Sequence, residues 1–350
     1  MHRVYILEQG TYLRKSGNSL VLMKDKTVVD EASLPQLEHL VLAGFISLSG
    51  AVINALVQHR VETVLLDRHF GFRARLHVDE HKHVQRRQSQ YVQLSYHEFS
   101  VQTARSIVSG KLSNQARFLQ IRGQQSRSNA LLSWAQAIKA VARGVMTISE
   151  MDLIRGAEGH GSRLYFQAFA HLLKNPGFSF QGRNRRPPLD PVNALLSFCY
   201  TLLTNEVLTA IKIVGLDPYL GSLHEVAYGR PSLACDLVEE WRTFVVDRLV
   251  IGLINTKSIR PEDFVTREQK DVDFVDEQDL KAKRPVELKP GPRKALVEAY
   301  EKWMNRRIKD PYQGDSTTYR QHILRQARHF CAYIKGDDAE YRPFPWSTIR

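Results

Sequence analysis

The apolar residues of this chain change their period once, and that change decides the architecture. Up to Asp67 they come in short β-branched or alternating runs, VYILE, TYLRK, SLVLMK, TVVDE, LEHLVLAG and VETVLLD. Gly10, Ser16-Gly17-Asn18 and Asp25-Lys26 separate the first four, a pattern that predicts strands joined by tight turns. Ser49 is placed to cap a short helix through Gln58. Beyond residue 88 the spacing becomes three and four, and Ala130–Val145, Asp190–Val214 and Tyr319–Ile334 read as helices. Asp190 followed by Pro191 marks a helix start, and Gly215 marks its stop.

The predicted fold class is therefore α+β. A small N-terminal β-rich domain (residues 1–85) precedes a larger, mostly α-helical domain (residues 86–350). The boundary falls in HVDEHKHVQRRQSQY, a polar stretch of the kind that links domains or opens a helix. His77, Asp79, His81 and His83 would share one face there if extended, but alternation in a charged segment does not supply the supporting shell a metal site needs. Within the helical region, Val272–Val275 and Val286–Leu288 predict a β-hairpin.

Composition bears on the partner. The 49 Lys and Arg against 37 Asp and Glu leave a formal charge of +12, which favours polyanions, nucleic acid ahead of a membrane surface. Cys199, Cys235 and Cys331 form no CxxC pair and no disulfide framework, as expected in a reducing cytoplasm. MHRVYILEQG lacks the apolar core of a signal peptide. The most apolar stretch, Ala194–Val214, is interrupted by Ser197, Thr204, Asn205, Glu206 and Lys212, which predicts a buried helix and not a membrane span.

In a chain this basic, GSLHEVAYGRPSLACDLVEEW (221–241) gathers acids. Asp236 and Glu239, three residues apart, project from one helix face and can converge on a hard cation. Leu233, Leu237 and Trp241 mark the buried face, with the acids expected at its margin. His224, before the Gly229-Arg230-Pro231 turn, adds a nitrogen to an oxygen set suited to Mg²⁺ or Mn²⁺. The plainer reading has solvated acids paired with neighbours such as Arg242, and a structural histidine. A further acid, Glu158 in RGAEGHGSRLYF, stands among Gly156, Gly159, Gly161 and Ser162, small residues that permit close backbone approach. The plainer alternative is a glycine-rich helix junction with Glu158 paired to Arg155 or Arg163.

These segments, with DPVNALLSFCYTLLTNEVLTAIKIVGLDPYL between them and PGPRKALVEAYEKWM after them, resemble the CRISPR-associated adaptation integrase family, the universal spacer-acquisition nuclease. The resemblance runs in order over nearly the whole chain. It implies a divalent-metal-dependent DNA endonuclease and integrase, with Mg²⁺ or Mn²⁺ as cofactor, that joins spacer 3′-OH ends to the repeat by transesterification. It also implies a homodimer, paired through the N-terminal domain, and a small second adaptation protein bridging two dimers on DNA. On this chain Glu158, His224 and Glu239 match the family's metal ligands, and Asp236 the additional catalytic acid. Ser162 departs from the alanine usual in the family at that place.

Basic clusters outside these motifs suggest DNA contacts. Arg183, Arg185 and Arg186 precede two prolines, and Lys289, Arg293 and Lys294 surround a helix start at PGPRKAL. Arg325 and Arg328 share a helix face near the C-terminal end. The competing reading is a noncatalytic DNA-binding scaffold in which the arginines matter and the acids are structural.

Overall fold

The computed structural model describes residues 2–67, 72–76, 83–184, 187–266 and 285–345. The chain divides into two compact units, Met1–His81 and Lys82–Arg350. The first is β-rich and the second mostly helical, so the α+β class holds.

The N-terminal unit contains two four-stranded sheets. In one, β1 (His2–Ile6), β5 (Leu37–Ala43) and β7 (Glu62–Leu66) run parallel in the order β1-β5-β7, and β8 (Phe72–Leu76) closes it antiparallel. In the other, the meander of β2 (Thr11–Ser16), β3 (Ser19–Lys24) and β4 (Thr27–Ser33) is extended by β6 (Ile46–Leu48), parallel to β2. The turns expected from Gly17 and Asp25-Lys26 join the meander. The near-continuous apolar run of β5 is buried, as a central parallel strand requires. Leu13, Leu20, Leu40 and Leu42 meet Val52 and Leu56 of α1 (Gly50–Gln58) in one core. The Ser49 side chain accepts from Val52 N and caps that helix as expected.

In the C-terminal unit α2 (Val84–Ser95) leads into α3 (His97–Ser126), a long helix packed on α4 (Asn129–Gly144) and α5 (Met151–Ala170). The helix α6 (Pro191–Ile213) begins where Asp190 Oδ1 accepts from Asn193 N at 2.8 Å. By length and composition α6 is a candidate membrane span, but 67% of its apolar window is buried in the protein. It packs on α7 (Ser232–Val238), α8 (Arg248–Asn255) and α10 (Tyr319–Lys335), so it is a core helix. Between α7 and α8 the residues Arg242–Asp247 form a buried π-helical turn, a local widening often found beside functional residues.

The strand Val286–Leu288 (β10) pairs with Phe264–Thr266 (β9). The expected hairpin partner, Val272–Val275, lies outside the described residues. The helix α9 (Pro290–Met304) starts at Pro290, so Pro292 lies in its first turn.

One buried ion cluster ties these helices together. Arg320 on α10 reaches Glu206 of α6 at 3.2 Å and Glu301 of α9 at 2.9 Å. Arg320→Leu leaves Glu206 buried without its guanidinium, a loss worth about 3–5 kcal/mol. A melting temperature lower by about 10 °C is expected by calorimetry, and an unchanged one would remove the cluster from the stabilising core.

Candidate metal centre

Glu158 lies near the middle of α5, a single uninterrupted helix. The plainer alternative of a glycine-rich helix junction is therefore not what forms, and the four small residues divide their roles. A Cβ on Gly161 would come within 3.0 Å of Leu112 Cδ1, so this glycine sets the close approach of α3 and α5. Gly156 and Gly159 face open space. The Ser162 hydroxyl, one turn on, donates to Glu158 Oε1 at 2.9 Å, a support that alanine at this position would not give.

Glu239 ends α7, and its carboxylate is buried. Leu233, Leu237 and Trp241 occupy the buried face as expected, but the acids do not sit at its margin. Asp236 is 0% exposed, Glu239 4% and Glu240 2%. Their burial is possible because each has its own partners. Glu240 accepts from Tyr341 Oη at 2.6 Å and Phe344 N at 2.5 Å, holding the C-terminal segment while Phe344 stacks on Trp241. Burial pushes the Glu240 carboxyl up to about 8, against the pull of those two donors.

Lys111 of α3 joins the two ligand candidates on α5 and α7. Its ammonium is hydrogen-bonded to Glu158 Oε1 and lies 2.7 Å from Glu239 Oε2. Arg242 Nε stands 3.1 Å from Glu239 Oε1, and its guanidinium lies over the Tyr200 ring at 4.5 Å. Burial alone would raise the Glu239 carboxyl, but Arg242, Lys111 and His224 outweigh it and hold it down at about 2. Glu239 is thus ionised at any working pH. Burial opposes the Lys111 charge as well, yet Glu239 and Glu158 raise its pKa, so it stays an ammonium and cannot act as a base.

Asp236 does not face this cation. Its Oδ2 accepts from Ser222 N at 2.6 Å and Leu223 N at 3.0 Å, and its Oδ1 from His224 N at 3.0 Å. His224 Nδ1 lies 2.7 Å from Oδ1, so that nitrogen donates to the carboxylate and Nε2 is left for another partner. A side chain on Gly221 would run into this carboxylate and stand 2.9 Å from Leu233 N, which is why the loop begins with glycine. Arg155, one turn before Glu158, donates to Leu223 O at 2.8 Å and to Glu225 at 2.9 Å, fastening the His224 loop to α5.

The residues expected to ligate a metal thus fall into two linked groups. Glu158 and Glu239, 81 positions apart in sequence, share one cation, and His224 lies within electrostatic reach of Glu239. Among the described residues no three His, Cys, Asp or Glu side chains stand together closely enough to hold one ion. The ammonium occupies the middle of the group. The donors nevertheless fit a divalent ion: two carboxylates from separate helices converge on one positive charge, and the His224 imidazole turns only its Nδ1 to Asp236.

The proposed DNA contacts divide similarly. Arg183 turns inward to Asn193 at 2.7 Å and Ser197 at 3.0 Å, and Arg185 and Arg186 lie outside the described residues. Arg293 donates to Leu288 O at 2.7 Å, whereas Lys289 and Lys294 are exposed. Arg325 is held by Asp315 at 2.6 Å and lines a cleft of about 580 Å³ together with the exposed Arg328 and Arg342.

Sequence reasoning missed Lys111. A signal was present, since Lys111 falls in the buried row of α3 with Ala104, Ile107, Val108 and Leu112. A lysine in an apolar stripe is buried only with a partner.

The family model described as CRISPR associated protein Cas1 matches residues 4–302. A protein of Chlorobaculum tepidum, CRISPR-associated endonuclease Cas1 1, is 32% identical over 99% of this chain and 98% of its own length. Among solved structures, a casposase bound to integration product aligns with a TM-score of 0.81 at 22% identity, over 100% of this chain and 96% of that one. A Cas6-RT-Cas1–Cas2 complex gives 0.80 at 22% identity, and this chain spans 36% of that longer chain. At such identities the two structures speak for the fold.

Proposed function

The chain belongs to the CRISPR-associated Cas1 family, and on that premise we propose that it is a divalent-metal-dependent DNA integrase and endonuclease of spacer acquisition. One observation carries the chemical part of the reading. Glu158 and Glu239, from separate helices, both face the Lys111 ammonium, so the fold already converges them on one positive charge.

Glu158, Glu239 and His224 through Nε2 would hold Mg²⁺ or Mn²⁺, which when bound supplies Lewis-acid stabilisation of phosphate charge and lowers the pKa of the attacking hydroxyl. The chain's own residues prepare that site. Asp236 fixes the tautomer and direction of His224, Arg242 pins one oxygen of Glu239, and Ser162 and Arg155 steady the α5 side. The substrate is duplex or branched DNA drawn in by the +12 charge. In joining, a spacer 3′-OH oxygen forms a new bond to a repeat phosphorus, and the old bond to the repeat 3′ oxygen breaks. The nucleophile's proton is lost and the leaving oxygen is protonated, so the number of phosphodiesters is conserved. Water as nucleophile gives cleavage at the same place. The working unit is a homodimer with a small second adaptation protein, in the cytoplasm.

The test is strand joining on a labelled branched DNA that mimics half-integrated spacer, with Mg²⁺, Mn²⁺ or chelator, for wild type and His224→Ala. Joining that needs metal and falls at least about a hundred-fold in the variant, at retained DNA binding, is expected. DNA binding with a steep salt slope and no chemistry under any metal, with the small partner supplied, would return the protein to the scaffold reading.

A further inference from the structure

We propose that Lys111 is a built-in counter-ion that keeps Glu158 and Glu239 converged in the metal-free protein and is displaced when the divalent ion binds. The inference rests on the metal-dependent reading above and adds to it a competition inside the chain.

Three observations support it. The ammonium touches both carboxylates, which lie on different helices, and Lys111 comes from a third, so the contact is tertiary and not an accident of neighbouring sequence. The Lys111 side chain is 6% exposed and that of Glu239 4%, which makes an unbalanced charge in either place costly. The Glu158 side chain is 26% exposed, so one wall of the site is open to solvent and an ion has a way in. Two carboxylates facing one another without a cation would repel, and the helices carrying them would part. Lys111 prevents this, and the same attraction means that a metal must break two ion pairs to enter.

Displacement also gives the lysine a second position. Freed from the carboxylates, its four-carbon stem can carry the charge toward the open side, where a phosphate of bound DNA would take the place of the acids.

The cost of breaking the lysine contacts weakens apparent metal affinity by the fraction of molecules in which the site is free. In Lys111→Met, which keeps the volume and loses the charge, Mn²⁺ affinity measured by calorimetry on the full-length protein is expected to rise roughly ten-fold or more. In chelator the variant should melt below wild type, and saturating Mn²⁺ should raise its melting temperature by more than it raises that of wild type. Equal or weaker Mn²⁺ binding by a folded Lys111→Met would overturn the proposal and leave the metal reading intact. Failure of both proteins to bind Mn²⁺ would sink both, whereas binding by the variant alone would support the displacement in its strongest form.

Because the variant loses a buried contact, a second measurement uses wild type. Acylation of lysine amines, read by mass spectrometry with and without saturating Mn²⁺, should find Lys111 protected in chelator and several-fold more reactive with metal. Unchanged protection in Mn²⁺-saturated protein would place the ammonium beside the carboxylates in the loaded state and refute displacement.

Discussion

Glu239→Gln is expected to lower metal-dependent strand joining by about a thousand-fold while leaving duplex affinity within about three-fold. The substitution keeps the shape of the side chain and removes its charge. Glu239 is the acid of the centre that Lys111, Arg242 and His224 together hold ionised, with a carboxyl at about 2. An amide there gives an incoming ion a weaker oxygen, and turns an NH₂ group toward either Lys111 or Arg242. Stability should also fall, because the buried Lys111 and the partly buried Arg242 lose a partner, by about 3–5 kcal/mol. The joining assay is therefore run well below the melting point of the variant, with DNA binding measured on the same sample. Joining within ten-fold of wild type would mean that Glu239 is a structural acid, and the candidate centre would reduce to Glu158 and His224.

The parts of this site that were legible in the sequence are those in which local pattern and tertiary role coincide. Leu233, Leu237 and Trp241 gave the buried face of α7 because a four-residue rhythm reports burial directly. Ser49 and Asp190 gave helix starts because a cap is a contact within three residues. The strands β1 to β5 and β7 were legible through their β-branched or alternating runs and the turn residues between them, whereas the three-residue β6 was not. The depth of Asp236, Glu239 and Glu240 was not, since spacing tells which face a residue is on but not whether distant groups will neutralise it there. Asp236 is buried by backbone amides of Ser222 to His224, Glu240 by the segment at Tyr341 and Phe344, and Glu239 by a lysine 128 positions away. None of these partners is marked by local sequence. The pairing of Val286–Leu288 with Phe264–Thr266 was not legible either, because strands distant in the chain carry no local mark of their pairing.

Asp236→Ala is expected to cost both stability and chemistry, and the way each is recovered separates its role from that of a ligand. The carboxylate is 0% exposed and serves three backbone amides and one imidazole. Removing it strands several buried donors, each worth about 1–3 kcal/mol, for a total loss of about 3–5 kcal/mol after relaxation. Asp236→Asn should be nearly as damaging. An amide offers one acceptor oxygen, and its NH₂ group must face either the amides of Ser222 and Leu223 or the two donors of His224. In either pose a donor meets a donor. The consequence for the site is indirect, because His224 loses the contact that fixes its Nδ1 proton and the aim of Nε2, and metal affinity should fall about 10–100-fold. A positioning residue of this kind leaves the ligands in place, so raising Mn²⁺ to saturation should recover most of the strand joining of Asp236→Asn below its melting point. The same titration should recover little in Glu239→Gln, which lacks a donor to the ion itself. Equal failure of both variants at saturating Mn²⁺ would instead make Asp236 a direct participant in the chemistry.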